Sequence, residues 1–172
     1  MFWGKMNKHG HRLSKSFRDA FRGIGYGITQ ERNMRIHTVA ALYVFVFSFF
    51  FELSFGQYAA LFLTIALVMA AELLNTAIEK LADAVNDQYD PLIGKVKDLA
   101  AGGVLVCALF AVAVGVVLFW RPESFRFLWS WFCARPWMVG VLAVLTALAV
   151  CYIVRGPRFW IRNSKSQDGM ER

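Results

Sequence analysis

Four long apolar blocks dominate the pattern along the chain: Thr38–Phe51, Tyr58–Ala71, Leu99–Trp120 and Trp137–Val154, each with few or no charges. A helix that crosses a membrane needs about 20 residues, with a range of roughly 17–25. The third and fourth blocks satisfy that directly. The first two do so when extended through His37–Phe55 and Gln57–Ile78, with polar residues near their ends. The predicted fold class is all-α: an integral membrane helical bundle with an N-terminal amphipathic surface helix, three core transmembrane helices and an additional C-terminal transmembrane helix. The competing reading, buried helices of a soluble protein, fails because a chain this short cannot cover so much apolar surface.

Polar segments separate the blocks. Within Phe2–Ile28 the apolar positions Leu13, Phe17, Ala20, Phe21 and Ile24 recur at helical spacing, with Arg12, Lys15, Arg18 and Arg22 largely between them. A basic amphipathic helix of this kind fits a membrane surface, and docking on protein is the alternative. Gly23, Gly25 and Gly27 are expected to loosen the chain before Thr29–His37, TQERNMRIH, which leads into the first span. A short turn around Gly56 makes spans one and two an antiparallel hairpin. Asn86–Pro91, NDQYDP, stops the second helix with turn-forming residues. Leu92–Asp98 then leads into span three, whose start LAAGGVL is rich in the small residues that allow close helix contact in membranes. Pro122 and the aromatic Phe125–Phe132 form an interfacial segment, and the polar Asn163–Arg172 reads as a disordered tail. The expected division is a membrane domain over 1–120, followed by a linker, extra helix and basic tail over 121–172.

Composition sharpens this picture. The 172 residues are 58% hydrophobic, well above the usual ~45–50% of soluble proteins. The basic N-terminal stretch is too long and too charged for a secretory signal, so the chain is expected to keep its whole length. Net charge is +7, and its placement sets an orientation. Lys and Arg crowd the segment before span one, the loop Lys80–Asp98 and the tail, whereas the turn Glu52–Gly56 has none. The positive-inside rule puts those basic segments in the cytoplasm. Arg121, Arg126 and Arg135 in the outer linker run against the rule. Cys107, Cys133 and Cys151 are scattered, with no metal-ligand spacing and no disulfide framework.

The candidate chemistry sits at the cytoplasmic end of span two, in AAELLNTAIEKLAD over Ala70–Asp83. Glu72, Asn75, Glu79 and Asp83 recur at i, i+3, i+7 and i+11, which puts all four on one helical face. Solvated residues at a span's exit explain Asp83 well and Glu79 fairly, but not Glu72, which has Ala70, Ala71, Leu73 and Leu74 around it. Glu31 before span one and Lys97–Asp98 before span three reach the same level. Carboxylates with open positions suit magnesium, basic side chains suit a polyphosphate, and a carboxylate at the lipid boundary suits a general base. Gly23-Ile-Gly-Tyr-Gly27 matches no phosphate-binding loop. Lipid-facing phosphoryl transfer and ion-coupled transport both remain open on spacing alone.

The block Glu72-Leu-Leu-Asn-Thr-Ala-Ile-Glu79, followed by Asp83 and Lys97-Asp98, resembles the signature of the small prokaryotic diacylglycerol kinase family, which includes the undecaprenol kinases. The likeness runs from about Phe17 to Phe119. It implies a homotrimeric enzyme of the bacterial inner membrane, with its site facing the cytoplasm. It also implies Mg2+ and ATP, used to phosphorylate a membrane lipid alcohol, with no nucleic-acid partner. By the resemblance Glu72 is the catalytic base and Asn75 its partner in the motif. Glu31 and Glu79 hold the metal with ATP, and Lys97 and Asp98 bind nucleotide. Tyr89, in a nearby loop, and Arg12 align more loosely with nucleotide-binding positions. Glu31–His37, ERNMRIH, and Tyr89–Leu92, YDPL, look more like the undecaprenol kinase branch, so undecaprenol is favoured over diacylglycerol. The segment Arg121–Arg172 departs from the family pattern.

Overall fold

The computed structural model describes residues 3–85 and 90–157, with side chains from residue 13 onward. Six helices make up the described residues: α1 (Trp3–Gln30), α2 (Arg32–Ser48), α3 (Phe55–Val85), α4 (Pro91–Phe119), α5 (Pro122–Ala134) and α6 (Pro136–Arg155). Three of them, α3, α4 and α6, are long and apolar enough to cross a membrane. The first expected span stops before its apolar block does: α2 ends at Ser48. Its 17 residues include Arg32 and Arg35 at the start, so it is not among the helices long and apolar enough to cross. The chain turns there instead of continuing to Phe55. Phe50 N and Phe51 N donate to Phe47 O and Ser48 O, and Glu52 takes a left-handed φ of 46°.

Local chemistry explains the other boundaries. Ser54 and Gln57 form a reciprocal cap at the start of α3, with Ser54 N donating to Gln57 Oε1 at 2.9 Å and Gln57 N to Ser54 Oγ at 3.4 Å. At α4 the Asp90 carboxylate accepts from Leu92 N and Ile93 N, and Pro91 at the first helical position has no N–H to satisfy. The expected lead-in Leu92–Asp98 is therefore already helix. The glycine run behaves differently from expectation too. α1 passes unbroken through Gly23, Gly25 and Gly27, and the chain breaks at Glu31, whose backbone is extended at φ −99°, ψ 126°. Gly27 has a packing reason to be glycine: a Cβ there would lie 2.9 Å from Leu73 Cδ2, so its absence lets α1 approach α3.

In space the helices run α6, α2, α3, α4, each antiparallel to its neighbour. Asp83 of α3 pairs with Lys97 near the start of α4, and Tyr43 of α2 hydrogen-bonds Thr146 of α6 at 2.8 Å. A compact apolar core of Phe51, Leu53, Leu61 and Leu118 closes the end opposite Glu72. Phe51 meets Phe119 and Phe125 edge to face, with centroids 4.9 and 5.3 Å apart. Most other large apolar side chains on α3, α4 and α6 are exposed within the chain, the pattern of helices that face lipid or other helices. Leu13, Phe17 and Phe21 on α1 are likewise uncovered, which leaves a basic helix with a free apolar face and fits the membrane-surface reading.

The arginines of the outer linker have local work. Arg121 donates to Phe51 O at 2.8 Å, Glu52 O at 3.3 Å and Gln57 Oε1 at 2.9 Å, gathering the turn between α2 and α3 onto the start of α5. Arg135 lies 4.9 Å from the centroid of the Trp131 ring, a cation–π contact. Replacing Arg121 with Ala should strand those carbonyls and destabilise the bundle by about 2 kcal/mol, read as a lower midpoint of thermal unfolding in detergent.

Candidate functional site

α3 carries the site because it is longer than the hydrocarbon it crosses. Its 31 residues extend about 46 Å at 1.5 Å per residue, against a hydrocarbon thickness of about 30 Å. Measured from Phe55, Glu72 lies about 26 Å along the axis, so most of the hydrocarbon thickness lies between the two. The face predicted from spacing is present, but its residues divide into a buried and an exposed group. Glu72 and Asn75 are buried at 2% and 5% exposure. Glu79 is half-buried and Asp83 exposed.

Glu72 faces the start of α2. Asn33 lies within hydrogen-bonding reach of its carboxyl, and His37, Glu79 and Glu31 are close enough to act on it electrostatically. Its Oε2 is buried with no hydrogen-bond partner, and so is Oδ1 of Asn75. The Asn75 amide donates from Nδ2 to Glu79 Oε1 at 2.9 Å, fixing Glu79 one turn beyond it. Glu31 occupies the N-cap position of α2 without using its side chain as a cap. Its carboxylate turns instead to Lys80 of α3, with Nζ at 3.2 Å from Oε1.

Glu31, Glu72, Asn75 and Glu79 therefore come together where α2 begins beside α3. Lys97 does not join them: it pairs with Asp83 further along α3, and Asp98 stands exposed next to it. Tyr89 and the Arg12 side chain lie outside the described residues. Three participants were not singled out from spacing. Asn33 and Lys80 act through partners on other helices, and His37 was noted only as a branch feature. Among the described residues no group of three or more His, Cys, Asp or Glu side chains converges as a ready-made metal site.

An apolar cleft of about 320 Å³ runs between α2, α3 and α4, with His37, Val44, Leu61, Val68, Ala111 and Phe119 on its walls. Val68, on its wall, is one helical turn from Glu72. Glu72 itself is not on the cleft wall: its Oε2 is an acceptor that no protein group uses, buried one turn beyond Val68.

The sequence model of the prokaryotic diacylglycerol kinase family matches residues 18–119. The chain belongs to the prokaryotic diacylglycerol kinase family. Among its relatives, undecaprenol kinase of Bacillus subtilis is 40% identical over 109 residues, covering 63% of this chain and 89% of the relative. Diacylglycerol kinase of Synechocystis sp. is 43% identical over 111 residues, covering 64% of this chain and 63% of the relative. Diacylglycerol kinase of Escherichia coli is 28% identical over 109 residues, covering 63% and 89%. The protein is thus a membrane lipid kinase, and kinase chemistry makes ATP its co-substrate. The transport reading gains no support from these matches.

In a lipid kinase, Asn75 separates stability from function. Leu at this position removes the unpartnered Oδ1 along with the donor to Glu79, so stability should stay within about 1 kcal/mol of the parent. Lipid phosphorylation by N75L should fall by more than about ten-fold as Glu79 loses its fixed pose. Thermal unfolding and a phosphotransfer assay on the same preparation check both halves.

Proposed function

We propose that the enzyme phosphorylates undecaprenol with ATP at the cytoplasmic face of the bacterial inner membrane, as a homotrimer with Glu72 as the general base. The observation that carries this reading is the buried, unpartnered Oε2 of Glu72, one helical turn from Val68 on the wall of an apolar cleft. The lipid chain lies along the cleft and presents its hydroxyl at the lipid boundary. Glu72 accepts the hydroxyl proton as the oxygen attacks the γ-phosphorus. The bond from that phosphorus to the β,γ-bridging oxygen breaks, leaving ADP and a lipid phosphate. Asn33 orients the base from α2, and Asn75 holds Glu79 from within α3.

Glu31 and Glu79 suit a magnesium ion shared with ATP. Magnesium is commonly held by one or two carboxylates plus substrate phosphates rather than by an all-protein cage, which suits a pair of carboxylates such as Glu31 and Glu79 that both act on Glu72. Lys80 already places a cation against Glu31 Oε1, so that carboxylate is arranged to meet positive charge. When bound, the ion would neutralise phosphate charge during transfer. Lys97 and Asp98, on the first turns of α4, are assigned to the outer part of the nucleotide. Tyr89 and Arg12 complete the expected nucleotide set.

Undecaprenol is favoured over diacylglycerol by the sequence ERNMRIH over Glu31–His37 and by Pro91 after Asp90. His37 lines the cleft and acts electrostatically on Glu72, which supports a role for that branch feature near the acceptor. Purified protein offered ATP with each lipid separately should phosphorylate undecaprenol with the higher kcat/KM; the reverse order makes it a diacylglycerol kinase. Glu72→Gln keeps the shape but removes the proton acceptor, and should lower kcat by about 10²–10⁴-fold with an unchanged thermal midpoint. Full activity in that variant would remove Glu72 from the role of base.

A further inference from the structure

Arg35 is only 7% exposed, and the partners that hold it are main-chain carbonyls. Its Nη1 donates to Thr29 O at 3.1 Å and its Nε to Ile153 O at 3.1 Å. Thr29 belongs to the last turn of α1 and Ile153 to the last turn of α6. One guanidinium therefore caps the C-terminal ends of two helices, where unsatisfied carbonyls and the negative end of the helix dipole both favour a cation. The planar fork of arginine can reach two directions at once, which a lysine ammonium on one stem does less well.

The chain beyond α6 is shaped around this contact. Gly156 takes φ 66°, ψ 166°, a region essentially reserved for glycine. A Cβ on it would lie 3.1 Å from Arg35 Nη1 and 3.3 Å from Cζ. The bend thus leaves the guanidinium just enough room. At the other side of Arg35 is the break between α1 and α2, and its central residue is Glu31. Arg35 N donates to Glu31 O, and Glu31 N to Gly27 O, so Arg35 grips the break from its main chain and its side chain together.

We infer that the C-terminal helix α6 positions the kinase site: through Arg35 its last turn sets the α1–α2 break, and with it the pose of the Glu31 carboxylate. Arg35 and Gly156 are positioning residues, since neither touches the reacting atoms. The inference rests on the reading of Glu31 as an ATP–metal carboxylate, and it assigns a catalytic purpose to a helix outside the residues that match the family.

The test uses the full-length protein and the Michaelis constants for Mg-ATP and for lipid separately. Gly156→Ala and Arg35→Lys should each raise KM for Mg-ATP by about five-fold or more while KM for lipid stays put, because a displaced carboxylate weakens nucleotide binding first. Thr146→Val removes the Tyr43 hydrogen bond in the middle of the α2–α6 contact without touching Arg35, and should leave KM for Mg-ATP unchanged. Equal effects of Thr146→Val and Gly156→Ala, or no rise in KM for Mg-ATP with either Gly156→Ala or Arg35→Lys, would overturn the inference and leave α6 as packing alone. Glu31→Gln separates the two layers. If it leaves KM for Mg-ATP unchanged, the assignment of Glu31 fails; if it raises KM while the Gly156 and Arg35 variants do not, only the positioning role fails.

Discussion

Helix ends in or beside hydrocarbon must satisfy their last carbonyls within the chain, because lipid offers no hydrogen-bond donors. The bundle depends on two arginines that meet this constraint at opposite ends. Arg121 serves the carbonyls of Phe51 and Glu52 at the turn end. Arg35 serves those of Thr29 and Ile153 at the site end. Each joins segments far apart in sequence, and between them they fix where α2 starts and where the α2–α3 turn lies. The buried face of α3 then has a defined partner in α2, and Glu72 has a defined neighbourhood.

Against that background the unsatisfied atoms stand out. Glu72 Oε2 and Asn75 Oδ1 are buried without partners, and a buried unpaired polar group costs about 1–3 kcal/mol. A chain that caps its helix ends with arginine, Asp90 and the Ser54–Gln57 pair has ample means to satisfy two more acceptors, yet both belong to one face at the lipid boundary. Such a cost is retained where it supports chemistry. Membership of a lipid kinase family makes a substrate group a candidate donor for these two acceptors, which is the reading proposed above.

Much of this was legible in the sequence, and the remainder failed for identifiable reasons. Helical periodicity alone placed Glu72, Asn75 and Glu79 on one face, and the Asn75–Glu79 hydrogen bond follows from their i, i+4 spacing. The apolar blocks within α3, α4 and α6 also read correctly as long helices. The glycine run did not, because glycine in a helix costs only about 1 kcal/mol each and Gly27 recovers some of that by admitting Leu73. Lys97 was expected at the level of that face, and the register of α4 against α3 brings it to Asp83, the outermost residue of the face. Arg35 and Arg121 were read only as charges. Their acceptors are main-chain carbonyls 118 and 70 residues away, and a carbonyl leaves no mark in the side-chain pattern.

That last point also resolves the charge pattern. Counting Lys and Arg treats every basic residue as a topological signal, and on that count Arg121, Arg126 and Arg135 oppose the rest of the chain, two of them with local partners. Arg121 is held by two carbonyls and a glutamine, and Arg135 by an indole face, so both positions are accounted for by local structure at the turn end. The antiparallel pairing of α6 with α2 then returns the chain to the side on which α1 lies, next to Arg35. The end of α6 and the start of α2 thus share one end of the bundle, as their hydrogen bond through Arg35 shows. The same pairing brings the C-terminal helix to the break that carries Glu31, which a helix crossing in the other direction could not reach.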